Sequence, residues 1–155
     1  MLQRSQPPAV DMKKMLTNCT YLEDSGYEVN GFKIWGTPHQ VPFYDWAFNR
    51  NDAEREQLWK QIPTDTDVVI VHGPPYDILD KCSDGFKAGC KILRKELLER
   101  VKPQLVVFGH IHEDYGIKKI DQTIFVNASN CTLRYNCTQP AVVIELQTPK
   151  SKKAT

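Results

Sequence analysis

No stretch of the 155 residues reaches the ~18 consecutive apolar positions that a membrane-spanning helix needs, and the opening MLQRSQPPAVDMKKM lacks the continuous apolar core of a secretion signal. Both absences predict an intracellular, cytoplasmic chain. Charge of one sign is also missing: 20 Lys and Arg against 19 Asp and Glu leave a net +1. Nothing in that balance draws in a nucleic-acid polymer or a membrane. Cysteine is sparse and irregular. Cys19, Cys82, Cys90, Cys131 and Cys137 make an odd count with no Cys-x-x-Cys, which argues against a zinc ribbon and for free thiols. The Asn-x-Ser/Thr sequons starting at Asn18, Asn127, Asn130 and Asn136 then stay unused. No internal repeat or low-complexity segment is present, and one domain is the default at this length.

What is present divides simply. Residues 1–10 read as a polar, proline-bearing disordered lead, 11–148 as the folded unit, and 149–155, PKSKKAT, as a basic solvated tail. VDMKKMLTN resembles the end of a helix. CTYLED and YEVNGFKIWGT read as two strands of a hairpin separated by the turn-forming DSG. PHQVPFYDWAFN, rich in aromatics and broken by proline, predicts an ordered loop whose rings either pack in the core or hold a planar ligand. NDAEREQLWKQI has an N-cap residue, acids in its first turn and apolar residues at helical spacing, and Pro63 ends it.

The run TDVVIVHGPP is continuous and β-branched, as in a strand buried on both faces, and it stops at His72 where Gly73, Pro74 and Pro75 follow. GCKILRKELLERVKP predicts a helix with an apolar stripe through Ile92, Leu93, Leu97, Leu98 and Val101, and QLVVFGHIH a second buried strand. Strand, helix, strand is a β-α-β unit, so the two strands should be parallel and should bring His72 and His110 to one carboxyl edge, where α/β sheets bind ligands. His110 and His112, two apart on an extended segment, would share a face and offer neutral nitrogens to a metal. Only four histidines exist in the chain, and three of them meet in this way. The fourth, His39, reads as a packed or hydrogen-bonded loop residue. YGIKKIDQTIFVNASN and PAVVIELQ predict further strands, with DQT as a tight turn.

HIHED is not His-Glu-x-x-His, and Tyr115 stands where a metallo-β-lactamase pattern requires histidine. VHGPP followed some forty residues later by FGHIH instead resembles the last two motifs of the calcineurin-like metallophosphoesterases. LTNCTYLED, GFKIWGTP, FYDWAFN, KPQLVVFGHIHEDYG, TIFVNAS and PAVVIEL extend the likeness to the animal metallophosphoesterase-domain-containing proteins of the fetal-brain-protein subfamily, over nearly all of residues 16–147. The resemblance implies an α/β/β/α sandwich and hydrolysis of phosphoesters by a hydroxide activated between two divalent metals (Mn, Fe or Zn). Nucleotide phosphodiesters such as cyclic nucleotides are the implied substrate class. Carried over by motif, His72 and His110 would bind one metal and His112 the other. Gly73 and Gly109 would let the backbone turn tightly beside them, and Glu113 and Asp114 would help orient the ligands.

Three family motifs have no counterpart here. The residues two before the histidines are Thr37, Ile70, Phe108 and His110, so there is no Asp-x-His, and no glycine is followed by Asp or Asn. The expectation is therefore the C-terminal part of the sandwich, lacking the first β-α-β units and the bridging aspartate, with at most one metal, crippled catalysis and an unpaired sheet edge open to self-association. Three readings stay open: a portion of an active phosphohydrolase, a non-catalytic regulatory or binding module that keeps half of the fold, or a sequence that does not fold alone.

Overall fold

A computed structural model describes residues 12–148; the expected lead and basic tail lie outside the described residues. After a 3-10 turn at Met12–Met15 the chain forms β1 (Ser25–Val29), β2 (Phe32–Thr37), α1 (Asp52–Lys60), β3 (Val68–Val71), α2 (Lys91–Lys95), β4 (Leu105–Phe108), β5 (Gly116–Ile120) and β6 (Thr123–Asn127). The strands make one six-stranded sheet in the order β1-β2-β3-β4-β6-β5. Neighbours among β2, β3, β4 and β6 are parallel, whereas the edge strands β1 and β5 pair antiparallel with β2 and β6. This is a mixed α/β sheet, as expected.

The predicted β-α-β unit is present, with Val68 opposite Leu105 and Val69 opposite Val106. The first hairpin turns elsewhere than at DSG. Asp24–Gly26 leads into β1, and the reversal falls at Asn30–Gly31, with φ of 50° and 79°. Positive φ at both positions gives a turn whose twist matches that of the strands, which is why Asn-Gly wins over the other turn-forming cluster.

Asn51 caps α1 as a capping box: its side chain accepts from Glu54 N–H at 3.0 Å, and the Glu54 carboxylate accepts from Asn51 N–H at 2.8 Å. The second helix does not stay α-helical. From Glu96 to Val101 it widens into a π-turn that ends at left-handed Lys102, whose N–H reaches Leu97 O at 2.9 Å. The wider turn keeps Leu93, Leu97 and Val101, spaced four apart, all buried toward the sheet. Arg100 then donates to the Trp59 and Ile62 carbonyls, each at 2.8 Å, closing the orphaned end of α1.

One face of the sheet, with Val69, Val71, Val106, Phe108 and Phe125, forms the main core against Trp59, Ile62, Leu93 and Leu97. The opposite face carries Ile34, Val68, Leu105, Val107 and Val126, and Val142, Ile144 and Leu146 lie on it. This corrects two expectations. PAVVIELQ alternates in burial like a strand but joins no ladder, because it crosses a sheet face and no strand edge lies beside it. Nor is β3 buried on both sides: Ile70 is 43% exposed, since that segment covers the β4 and β6 side and stops short of it.

Leu97→Ala, at a fully buried site, is expected to cost about 2–5 kcal/mol in urea unfolding. Val143→Ala, at a site 87% exposed, should change stability by less than about 0.5 kcal/mol. Equal losses would contradict the assignment of the core to the helical face.

Candidate metal centre

His72 follows the last residue of β3 and His110 stands two residues beyond β4. Their registers bring the side chains together: His72 Nε2 lies 3.1 Å from His110 Nδ1. The backbones are joined as well, since Gly109 N–H donates to the His72 carbonyl at 3.0 Å. Beyond this point the strand does not continue. Ile111 N–H bonds back to the Gly109 carbonyl at 2.9 Å around a His110 φ of 71°, a γ-turn, and His112 opens a short 3-10 turn, His112–Asp114. Alternation along an extended segment therefore does not aim His110 and His112; a reversal at His110 does. The strained residue is the histidine, at a cost of about 1–3 kcal/mol. Gly73 and Gly109 keep ordinary φ. A Cβ on Gly73 would meet nothing within 4 Å, and one on Gly109 only Ser129 Oγ at 3.3 Å.

Burial pushes the pKa of His110 down to about 4, helped by the neighbouring His72 and His112, and burial lowers His72 as well. Both are therefore neutral at physiological pH, the form in which imidazole binds metal. A nitrogen pair on one ion, each about 2.0–2.1 Å from it, sits roughly 3.0–3.4 Å apart, so the observed 3.1 Å fits two ligands of a single ion. His112 is set separately. Its Nδ1 lies 3.0 Å from the Thr132 carbonyl, which can only accept, so the proton is on Nδ1 and the Nε2 lone pair is free. Its ring meets the edge of Tyr135 at 5.6 Å. Among the described residues, no group of three or more His, Cys, Asp or Glu side chains is placed to hold a metal. The structure thus joins His72 and His110 as a pair without gathering a larger cluster.

Glu113 and Asp114 direct their carboxylates at the backbone of the preceding loop, accepting from Ser83 N–H at 3.0 Å and Lys81 N–H at 2.9 Å. Asn127 is a positioning residue that the strand pattern did not reveal. Fully buried at the end of β6, it donates to the Ile111 carbonyl at 2.7 Å and the Leu79 carbonyl at 3.1 Å, and so fixes the backbone between His110 and His112. Its only signal is an amide at the end of an apolar run, a group that needs partners wherever it is buried. The aromatic loop is tied by Asn49, whose side chain bonds Phe43 N–H and O and the Tyr44 carbonyl. That places the Phe43 ring edge-on to His110 at 4.9 Å and Trp46 at 6.3 Å. A cavity of about 190 Å³ opens beside the pair, lined by His39, Phe43, Trp59, Gly73, Phe86 and His110 among others. His39 itself is buried and bonded to Asp24 at 2.8 Å, as a packed loop histidine.

A model of the calcineurin-like phosphoesterases matches residues 7–114, a span that holds the capped helix, the β-α-β unit and all the histidines. The chain belongs to the calcineurin-like phosphoesterase family. Metallophosphoesterase domain-containing protein 1 of Homo sapiens is 44% identical over 144 residues, taking in 91% of this chain and 44% of that protein, and its Mus musculus counterpart matches equally. A UPF0046 protein of Caenorhabditis elegans is 35% identical over 145 residues, 90% of this chain and 51% of its own length. The chain thus spans about half the length of these curated relatives. A solved crystal structure, at TM-score 0.58 and 18% identity, covers 76% of this chain and 48% of its own, and shares the fold.

Metal-free protein titrated by imidazole NMR should keep His110 neutral down to about pH 4, well below the ordinary value of 6.5. Because the folded value lies below the unfolded one, the unfolded chain takes up protons first. This contribution to stability is full above about pH 6.5 and falls toward pH 4. A His110 titration near 6.5 would contradict the burial that links the pair.

Proposed function

We propose that this chain supplies the histidine side of a metal-dependent phosphoester hydrolase of the phosphodiesterase type. The observation that carries this reading is the His72–His110 pair, neutral and 3.1 Å apart at the carboxyl edge of the parallel sheet. His72 Nε2 and His110 Nδ1 would hold one divalent ion (Mn, Fe or Zn), and His112 Nε2, freed by the Thr132 carbonyl, would be a ligand to a second once carboxylates from outside these residues complete the site. Bound ions supply activation of a water as nucleophile and neutralisation of phosphoryl charge. Phe43 and Trp46 stand edge-on to His110 on the open side of the pair, and their exposed faces suit the base of a small nucleotide phosphodiester, cyclic nucleotides included.

No helix among the described residues is long and apolar enough to cross a membrane. A cytoplasmic protein acting on small phosphoesters, without nucleic-acid polymer or membrane as partner, accords with that and with the net charge of +1. The outer edges of β1 and β5 pair with no strand among the described residues, which leaves an edge for self-association. No Asp-x-His, Gly-Asp-x-x-Asp or Gly-Asn-His lies within these residues, so by itself the chain holds at most one ion and has weak or no turnover. A second reading, a non-catalytic regulatory or binding module, is favoured by the lack of a ligand group of three or more among the described residues.

Metal content and Mn²⁺-stimulated hydrolysis of bis-(p-nitrophenyl) phosphate, measured beside His110→Ala, test the proposal. The expected result is at most one ion per chain, lost in the variant, with little turnover. Metal retained by His110→Ala would refute the ligand assignment, and robust turnover abolished by it would refute the incompleteness of the site.

A further inference from the structure

The tripeptide Asn-Cys-Thr, found first at 18–20, occurs at 130–132 and again at 136–138, and the chain folds the last copy back on the one before it. Thr132 N–H donates to the Asn136 carbonyl at 3.0 Å and Gln139 N–H to the Asn130 carbonyl at 3.2 Å. Cys131 and Cys137 stand between these two closing bonds, where facing side chains of an antiparallel pair come closest. Both are free thiols, and their sulfurs are 2.9 Å apart. A disulfide requires about 2.05 Å, so a further approach of roughly 0.9 Å suffices.

The turn between them holds His112. Thr132 O accepts from both Tyr135 N–H at 2.8 Å and His112 Nδ1–H at 3.0 Å, and the Tyr135 ring rests edge-on against the imidazole. Gln139 Nε2 bridges the His112 carbonyl at 3.1 Å and the Cys131 carbonyl at 2.9 Å. In the reduced chain only hydrogen bonds among largely exposed residues close this turn.

We propose that Cys131 and Cys137 form a reversible disulfide that clamps the 131–137 turn onto His112. A peroxide is the oxidant. The exposed Cys137, as thiolate, attacks the peroxide oxygen to give a sulfenic acid and, with hydrogen peroxide, one water after protonation. The Cys131 sulfur then attacks the sulfenic sulfur, the S–O bond breaks, the Cys131 proton leaves with the hydroxide as a second water, and the S–S bond forms. Two thiols are oxidised and one peroxide is reduced. Closing the ring holds the Thr132 carbonyl against Nδ1 and so keeps His112 in the tautomer whose Nε2 is free. The value of that tautomer to metal binding rests on the function proposed above, but the dithiol does not.

The test is to treat the whole chain with hydrogen peroxide, alkylate it and digest it with trypsin, which cuts after Arg134, between the two cysteines. The expected product is residues 120–134 cross-linked to 135–150, released by dithiothreitol and absent from Cys131→Ser and from Cys137→Ser, with Cys19, Cys82 and Cys90 alkylated. In ¹⁵N-imidazole spectra of metal-free protein, oxidation should slow solvent exchange of the His112 Nδ1–H several-fold and leave His39 unchanged. Cross-links formed equally with other cysteines or between chains would overturn the proposal, as would the expected cross-link with no change at His112. Neither readout depends on metal or turnover, so a failure of the phosphoesterase reading is distinguishable from a failure of this one.

Discussion

Parallel pairing of β3 with β4 fixes where two loop histidines meet, because each strand delivers its histidine just beyond its carboxyl end and the register of Val68 on Leu105 leaves no freedom in their separation. A slip of one residue would turn the apolar side chains of either strand to the wrong face, and two differently packed faces forbid it. The crossover helix enforces the arrangement. Leu93, Leu97 and Val101 seal the face that carries Val69 and Val106, while Arg100 binds the end of α1 to the same layer. The His72–His110 contact is thus a consequence of core packing more than of any local interaction between the rings.

What the sheet cannot do, the loops beyond it complete. A γ-turn at His110 stores strain, and such strain persists only where the surroundings over-determine it. Here the Gly109 bond to the His72 carbonyl on one side and Asn127 on the Ile111 carbonyl on the other supply that constraint. Asn49 does the same for the aromatic loop, turning its flexible segment into a wall against His110. His110 is held by groups that are distant in sequence, and its neutrality follows from the partial burial beside Phe43, Trp46 and His72.

That division also explains what was legible in the sequence. The β-branched run ending in His-Gly-Pro-Pro, the striped helix and the second apolar run state a β-α-β unit outright, and with it the meeting of His72 and His110. The likeness of VHGPP and FGHIH to a family pattern pointed to the chemistry, and the family match over residues 7–114 agrees with it. Local rules failed where a long-range partner decides. Two turn-forming clusters competed for the first hairpin, and only compatibility with strand twist selects Asn30–Gly31. The two-residue alternation assumed for His110 and His112 holds only while a strand continues, and here it has ended at Phe108. PAVVIELQ shows a strand's alternation, yet a ladder needs a neighbouring edge that no pattern within the segment can specify. The approach of Cys131 to Cys137 is likewise invisible in a six-residue spacing until the intervening turn is known.

The central claim is that two imidazoles from adjacent parallel strands bind one ion. X-ray absorption at the zinc edge of the Zn²⁺-loaded chain tests it most directly, because Zn–N at about 2.0–2.1 Å and Zn–S at about 2.3 Å are resolved from each other. The account predicts two histidine nitrogens in the first coordination sphere and no zinc retained by His110→Ala. A sphere containing cysteine sulfur, or two histidines persisting in the variant, would contradict it.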